Sequence, residues 1–131
     1  MSSFSQKATA RTPEILLNAD AGTLVLSGES YPEDVTAFYS TLSDAITAFF
    51  DSSERAFDVS IKLTYFNSSS ARSLMELLDL LDTAAGQGRQ VSVQWYCDAE
   101  DDITREFAQD ISSDVTNITV TICDLEMPDA S

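Results

Sequence analysis

The spacing of hydrophobic positions changes several times along the chain, and each change marks an element. Residues 14–18 (EILLN) and 23–29 (TLVLSGE) flank ADAG, a turn signal, so they predict a β-hairpin. After Tyr31 the period lengthens. Val35, Phe38, Leu42, Ile46 and Phe49 recur at helical spacing and predict a long amphipathic helix ending near Asp51. Ser30 and Glu33 have capping-box spacing, and Pro32 suits a first turn. Residues 56–66 (AFDVSIKLTYF) alternate strictly. Phe57, Val59, Ile61, Leu63 and Tyr65 share one face, and Asp58, Ser60, Lys62 and Thr64 share the other, which predicts a strand buried on one side.

A second helix is predicted after Asn67, with Leu74, Leu77, Leu78 and Leu81 on one stripe and a left-handed cap at Gly86 or Gly88. Alternation returns at 90–97 (QVSVQWYC), where Val91, Val93 and Trp95 point inward. Residues 99–112 predict a short helix with acids in its first turn, where the helix dipole favours them. Residues 117–123 (NITVTIC) predict a last strand. The order is β-β-α-β-α-β-α-β. A hairpin followed by β-α-β units gives a mixed sheet, and the later crossovers should be right-handed. Three strands keep a polar face, so helices should cover mainly one side. That describes an α/β two-layer sandwich rather than a doubly wound fold. Residues 1–12 read as a flexible N-terminal arm, 13–124 as a single domain and 125–131 as a C-terminal tail.

The length of 131 residues fits one domain, and 44% hydrophobic residues suffice for a core without staples. No apolar run is long enough to cross a membrane, and the polar start lacks the apolar stretch of a signal peptide, so a cytoplasmic protein is expected. Cys97 and Cys123 form neither a disulfide framework nor a metal-ligand spacing, and read as small hydrophobes. The 22 acids against 7 bases leave a net charge of −15, which argues against nucleic-acid binding because phosphate contacts need clustered Lys and Arg. The acidity fits either steering of a basic partner or solubility in a salty cell.

Enzyme signatures are absent. Without histidine there is no Ser-His-Asp or Cys-His arrangement, and neither a Walker lysine nor a dinucleotide-binding glycine pattern occurs. No cofactor is implied. Asp98, Glu100, Asp101 and Asp102 lack the spacing and glycine of a calcium loop, and read as solvated acids at a helix start rather than a metal site. What remains is the run Asn67-Ser68-Ser69-Ser70 between a strand and a helix. Asn and Ser are favoured N-caps. A helix start also offers unpaired N–H groups and a dipole that welcome a phosphate. Capping and phosphorylation are compatible at one site.

Three segments together carry a resemblance: SGESYPED at 27–34, LTYFNSSSARSLMELLDLLD at 63–82 and GRQVSVQWYCDAEDD at 88–102. They are similar to the SYPE segment, the Y-[FL]-N-[ST]-S-S segment with its following helix, and the V-x-W-x-Y-like strand of the SiaC-type regulatory phosphoproteins of bacteria. The similarity covers most of residues 12–110. That family's fold resembles the STAS domain of anti-sigma-factor antagonists, in line with a two-layer sandwich.

The resemblance implies a partner switch rather than an enzyme. A Ser/Thr kinase with a histidine-kinase-like ATPase fold would phosphorylate the residue after the motif asparagine, which is Ser68. A PP2C-type phosphatase would remove the phosphate. The unphosphorylated form would bind and activate a diguanylate cyclase, raising cyclic di-GMP and favouring aggregation or biofilm. The competing readings are a STAS-like antagonist in a sigma-factor switch and a structural subunit whose serines only cap. For docking, the residues singled out are Tyr31, Glu33, Phe66, Asn67, Ser69 and Arg72. Ser68 is expected to cap the helix as well. Tyr65 continues the inward series and is expected in the core, while Phe66 breaks the polar series and is expected to be an exposed anchor.

Overall fold

The computed structural model describes residues 3–124. A six-stranded sheet carries three helices. The elements are β1 (Phe4–Gln6), β2 (Glu14–Asn18), β3 (Thr23–Ser30), α1 (Val35–Ser52), β4 (Phe57–Phe66), α2 (Ser68–Gly86), β5 (Val91–Cys97), α3 (Asp102–Asp114) and β6 (Thr119–Asp124). Strand order in space is the same as order in the chain. The first three strands pair antiparallel and the remaining pairs are parallel. The hairpin turn needs Gly22 at φ +71°, and a side chain there would run into the Ala56 carbonyl.

This order explains the two layers. When strands are added in one direction and each crossover is right-handed, every helix falls on the same face. The core is accordingly one cluster. Leu24, Leu26, Val59, Ile61, Val93 and Trp95 from the sheet meet Leu42, Ile46, Phe49, Leu74, Leu78 and Ile111 from the helices. The opposite sheet face carries Asp58, Ser60, Lys62, Thr64, Ser92, Gln94, Thr119 and Thr121, all exposed or half-buried, as the alternation predicts. Ser92 donates to Asp58 there at 2.9 Å, and the Lys62 ammonium sits 5.1 Å from the Tyr96 ring centroid.

Several expectations need correction. Residues 4–6 are not a loose arm but an edge strand, with Phe4 opposite Leu17. The tail at 125–131 lies outside the described residues. The start of α1 is not a Ser30–Glu33 capping box. Its N-cap is Asp34, whose carboxylate accepts the Ala37 amide at 3.1 Å, because β3 extends through Ser30 and buries that residue. The C-terminal end of α1 has no basic residue of its own. Arg89, entering from the loop before β5, donates instead to the carbonyls of Phe50, Ser53 and Arg55 at 2.8, 2.5 and 2.8 Å.

The most consequential difference is a bulge. Gly28 faces Leu63, yet Glu29 faces Tyr65, so Thr64 is an extra residue in β4. One added residue inverts the alternation beyond it. Tyr65 therefore turns out to solvent at 50% exposure, and Phe66 turns in against the core. This reverses the expectation for both residues.

Candidate functional site

The parallel strands β3, β4 and β5 end on one edge of the sheet, and the first turns of α1, α2 and α3 start there. In open α/β sheets this edge is the usual place for ligands and partners, since loops and helix N-termini converge on it. Ser68 is the first residue of α2 and is exposed. Asn67 is the N-cap: its Oδ1 accepts the Ser70 amide at 2.9 Å and its carbonyl accepts the Ala71 amide. Ser68 does not cap, contrary to expectation, so its hydroxyl is free of that duty. The amides of Ser68 and Ser69 have no acceptor within the helix, as at any helix start.

The three serines differ in environment. Ser69 is exposed, whereas Ser70 is fully buried. Ser30 Oγ donates to Ser70 Oγ at 2.9 Å and lies 2.6 Å from the Tyr39 hydroxyl. This buried chain of hydroxyls ties the end of β3, the second turn of α1 and the first turn of α2 together. Burial raises the Tyr39 pKa above its ordinary value, and the bonds from Ser30 and Ser70 only partly oppose that. The Asn67 amide also donates to the Ser30 carbonyl, so the segment leading into Ser68 is pinned by both backbone and side chain.

Beside Ser68 lies an open apolar groove between α2 and α3. Phe66 and Phe107 form its floor, their rings 5.2 Å apart, and Phe66 also stacks on buried Trp95 at 6.3 Å. Tyr65 and Ile103 stand on its walls, Ile103 at 83% exposure. The Tyr31 ring meets Tyr65 edge-on at 5.7 Å. Asp101 closes the far rim. Its carboxylate caps α3, accepting the Thr104 hydroxyl at 2.6 Å and the Thr104 amide at 3.0 Å, and these bonds hold its pKa below the usual carboxylate range. The other acids here are also local: Asp98 accepts the Glu100 amide at 2.9 Å, and no group of three or more metal-ligating side chains forms among the described residues.

Of the residues singled out in the sequence, Phe66, Asn67 and Ser68 line this groove, and Tyr31 joins through Tyr65. Ser69 and Arg72 are exposed on α2 and Glu33 is exposed in the loop before α1, all outside the groove lining. Ile103 was not singled out. Its signal is that it falls off the Thr104-Ala108-Ile111 stripe of α3, so nothing in the fold requires an isoleucine there.

A family model describing the SiaC family of regulatory phosphoproteins matches residues 6–125. The chain belongs to the SiaC family. An uncharacterized protein of Pseudomonas aeruginosa (strain UCBPP-PA14) is 32% identical over 114 residues, covering 87% of this chain and 90% of that protein. The crystal structure of apo-SiaC from Pseudomonas aeruginosa superposes with a TM-score of 0.87 at 31% identity, covering 94% of this chain and 99% of that one. A chain in the crystal structure of the diguanylate cyclase SiaD in complex with its activator SiaC, from the same organism, gives a TM-score of 0.87 at 30% identity, covering 93% and 99%. This SiaC-family chain is thus of a regulatory class, and among its described residues no helix is long and apolar enough to cross a membrane.

Proposed function

We propose that this SiaC-family protein is a phospho-switch whose unphosphorylated form binds and activates a diguanylate cyclase, and that Ser68 is the phosphorylated residue. The cyclase then makes more cyclic di-GMP, which favours aggregation or biofilm. A Ser/Thr kinase with a histidine-kinase-like ATPase fold moves the γ-phosphoryl of ATP to Ser68 Oγ, releasing ADP and the hydroxyl proton. A metal-dependent PP2C-type phosphatase returns the serine by hydrolysis. The observation that carries this reading is an exposed, non-capping serine hydroxyl on the rim of an apolar groove in a chain of this family.

The physical effect of the phosphate follows from its neighbours. A phosphoserine brings a charge of about −1.5 to −2. The rim already holds ionised Asp101, and the groove lining contains no Lys or Arg. A dianion there must be desolvated beside apolar and anionic surface if a partner is to stay docked, which costs several kcal/mol without a partner cation. Arg72, four residues on along α2, can draw the phosphate back onto the helix. Both effects oppose docking.

The test has two parts. Incubation with the cognate kinase and ATP should add one phosphate by intact mass, lost in Ser68→Ala and kept in Ser69→Ala. Titration calorimetry with the cyclase should then show at least tenfold weaker binding by the phosphorylated form, about 1.4 kcal/mol. Equal affinities, or phosphate mapped to Ser69, would overturn the reading.

A further inference from the structure

The sheet has two edges, β1 and β6, and they are built differently. Natural edge strands avoid pairing with other chains by being short, by carrying lysine or proline, or by bulging. β1 is three residues long and runs straight into Lys7. β6 has none of these guards. Its run Thr119-Val120-Thr121-Ile122-Cys123 contains no charge, proline or glycine, and its register against β5 is unbroken. All but the cysteine are β-branched, the class that suits a strand best. Only β5 pairs with it, so the backbone groups along its outer side have no partner strand among the described residues.

The charge around this edge also departs from the rest of the molecule. The chain carries 22 acids, yet β5 and β6 hold none before Asp124, and Asp124 is paired with Arg105 at 2.7 Å. On the open face Thr119, Thr121 and Cys123 lie beside Ser92, Gln94 and Tyr96. On the helical face, Arg105 marks the flank of α3 that overhangs β6, and Gln109 and Ser112 follow it at helical spacing. The acids of α3 lie elsewhere. Asp102, Glu106 and Asp110 form an outward stripe, and Asp114 faces α2. A basic partner would be drawn to the acidic surfaces. A neutral strip on a chain of net charge −15 is instead where a second copy meets least repulsion.

We propose that β6 pairs antiparallel with β6 of a second copy about a two-fold axis at Thr121, joining two sheets into one. An isologous contact of this kind closes on itself. The register uses every uncharged residue of the strand and keeps faces matched. Val120 meets Ile122 on the helical side, and both are only partly buried against the core, so the neighbouring strand covers what remains. On the open side Thr119 meets Cys123 and Thr121 meets its own copy. The two Asp124 carboxylates end six residues apart along the ladder, roughly 20 Å and beyond the screening length at physiological salt. Ile103 and Phe107 lie on the flank of α3 opposite Arg105, so both copies keep Ser68 and its groove open. One strand and one helix flank a side fall short of the roughly 1,200–2,000 Å² of stable complexes. Association is therefore expected at about 10 µM to 1 mM protein, and it strengthens with salt as the repulsion between copies is screened.

The experiment is sedimentation of the full chain over that concentration range, at about 0.01 M and 0.15 M salt. Thr121→Lys and Thr121→Glu are compared with Ser40→Lys, which changes an exposed residue of α1 away from this edge. Each variant is checked for an unchanged thermal midpoint in dilute solution. Either charge at position 121 faces its own like across the axis, so both variants should dimerise at least tenfold more weakly, and Ser40→Lys should not. Should Thr121→Lys associate as well as Ser40→Lys, net charge alone governs association and the proposal falls. A monomer at every concentration also overturns it, and leaves the edge to an extended segment of another protein. A second measurement fixes the register. Opposed residues at the axis have Cα atoms about 4.5–5.5 Å apart, within disulfide reach. Thr121→Cys combined with Cys123→Ser should therefore give a covalent dimer on oxidation with copper-phenanthroline. The unmodified chain should not, since its two Cys123 residues sit roughly 13 Å apart along the ladder. A missing cross-link in the Thr121→Cys chain would overturn the pairing.

Discussion

Asn67 Oδ1 lies 2.9 Å from the Ser70 nitrogen, so α2 is capped by the residue that precedes the proposed phosphorylation site. The cap and the modified hydroxyl are separate atoms on separate residues. Phosphate can therefore be added to Ser68 without dismantling the start of the helix.

A stability difference should follow. Asn67→Ala is expected to cost about 0.5–2 kcal/mol, the usual value of a lost N-cap. Ser68→Ala should stay within about 0.5 kcal/mol of the parent, as for exposed positions with no structural duty. Urea denaturation of the two variants measures this. A larger loss in Ser68→Ala than in Asn67→Ala would show the cap to be misassigned.

The bulge at Thr64 sets the second expectation. Phe66 packs on Trp95 and Phe107, so Phe66→Ala should destabilise by about 3 kcal/mol, the low end for phenylalanine truncation because the ring is only partly buried. Tyr65→Ala should cost no more than about 1.5 kcal/mol, the worth of its edge contact with Tyr31. Tyr65→Ala should instead weaken cyclase binding. Chemical denaturation paired with calorimetry separates the two roles.

Much of this was legible in the sequence. The faces of β4 and β5 and the leucine stripe of α2 follow from periodicity, because burial on one side imposes period two or 3.6. The inversion of Tyr65 and Phe66 was not legible, since a bulge is decided by register against β3, where Leu63 meets Gly28 and Tyr65 meets Glu29. The α1 cap was misplaced because Ser30 and Asp34 are both good N-caps. Only the length of β3, and the pull of Tyr39 and Ser70 on the Ser30 hydroxyl, decide between them. The strand Phe4–Gln6 was missed because three residues carry no period. Ser68 and Asn67 were singled out through their motif, and the groove beside them was not foreseen, because it needs two helices placed side by side.

Stability should fall at both ends of the pH range for identifiable reasons. Partial burial pushes the Asp82 carboxyl up, but the amides of Asn117, Thr116 and Ile118, at 2.6, 3.1 and 3.1 Å from Oδ1, outweigh it and hold the pKa below its ordinary value. Its stabilisation is thus complete above the unfolded value of about 3.9 and is lost as pH falls below that. Tyr39 is raised by burial, so its contribution is complete below about 10 and is lost as pH rises further. Asp82→Ala should cost about 1 kcal/mol at neutral pH, with a gap to the parent that narrows as pH falls through the acid range. Tyr39→Phe should flatten the alkaline limb. Denaturation curves across pH check both, and a gap that stays constant down to the lowest pH at which the protein is folded would remove Asp82 from the acid limb.

Salt should stabilise the protein. Among the described residues there is one ion pair, Arg105–Asp124 at 2.7 Å, so most of the net charge of −15 is uncompensated. Raising ionic strength from about 0.01 M to 0.15 M shortens the screening length from about 30 to 8 Å and relieves self-repulsion. The thermal midpoint should rise over that range, as scanning calorimetry can record. A flat or falling midpoint would mean the acids are dispersed widely enough not to repel.

The identity of strand order in space and in the chain has a consequence for biosynthesis. As the polypeptide leaves the ribosome, each strand meets an already formed neighbour and adds to the growing edge. No later strand has to insert between two earlier ones, and each helix can close over the seam just made. The parallel pairings still join distant residues, such as Thr23 with Asp58 and Phe57 with Val91, so the gain lies not in short contacts but in a shorter interval during which an unpaired edge can capture another nascent chain. Assembly can proceed as a one-way zipper from the hairpin, with β6 the last tooth to engage.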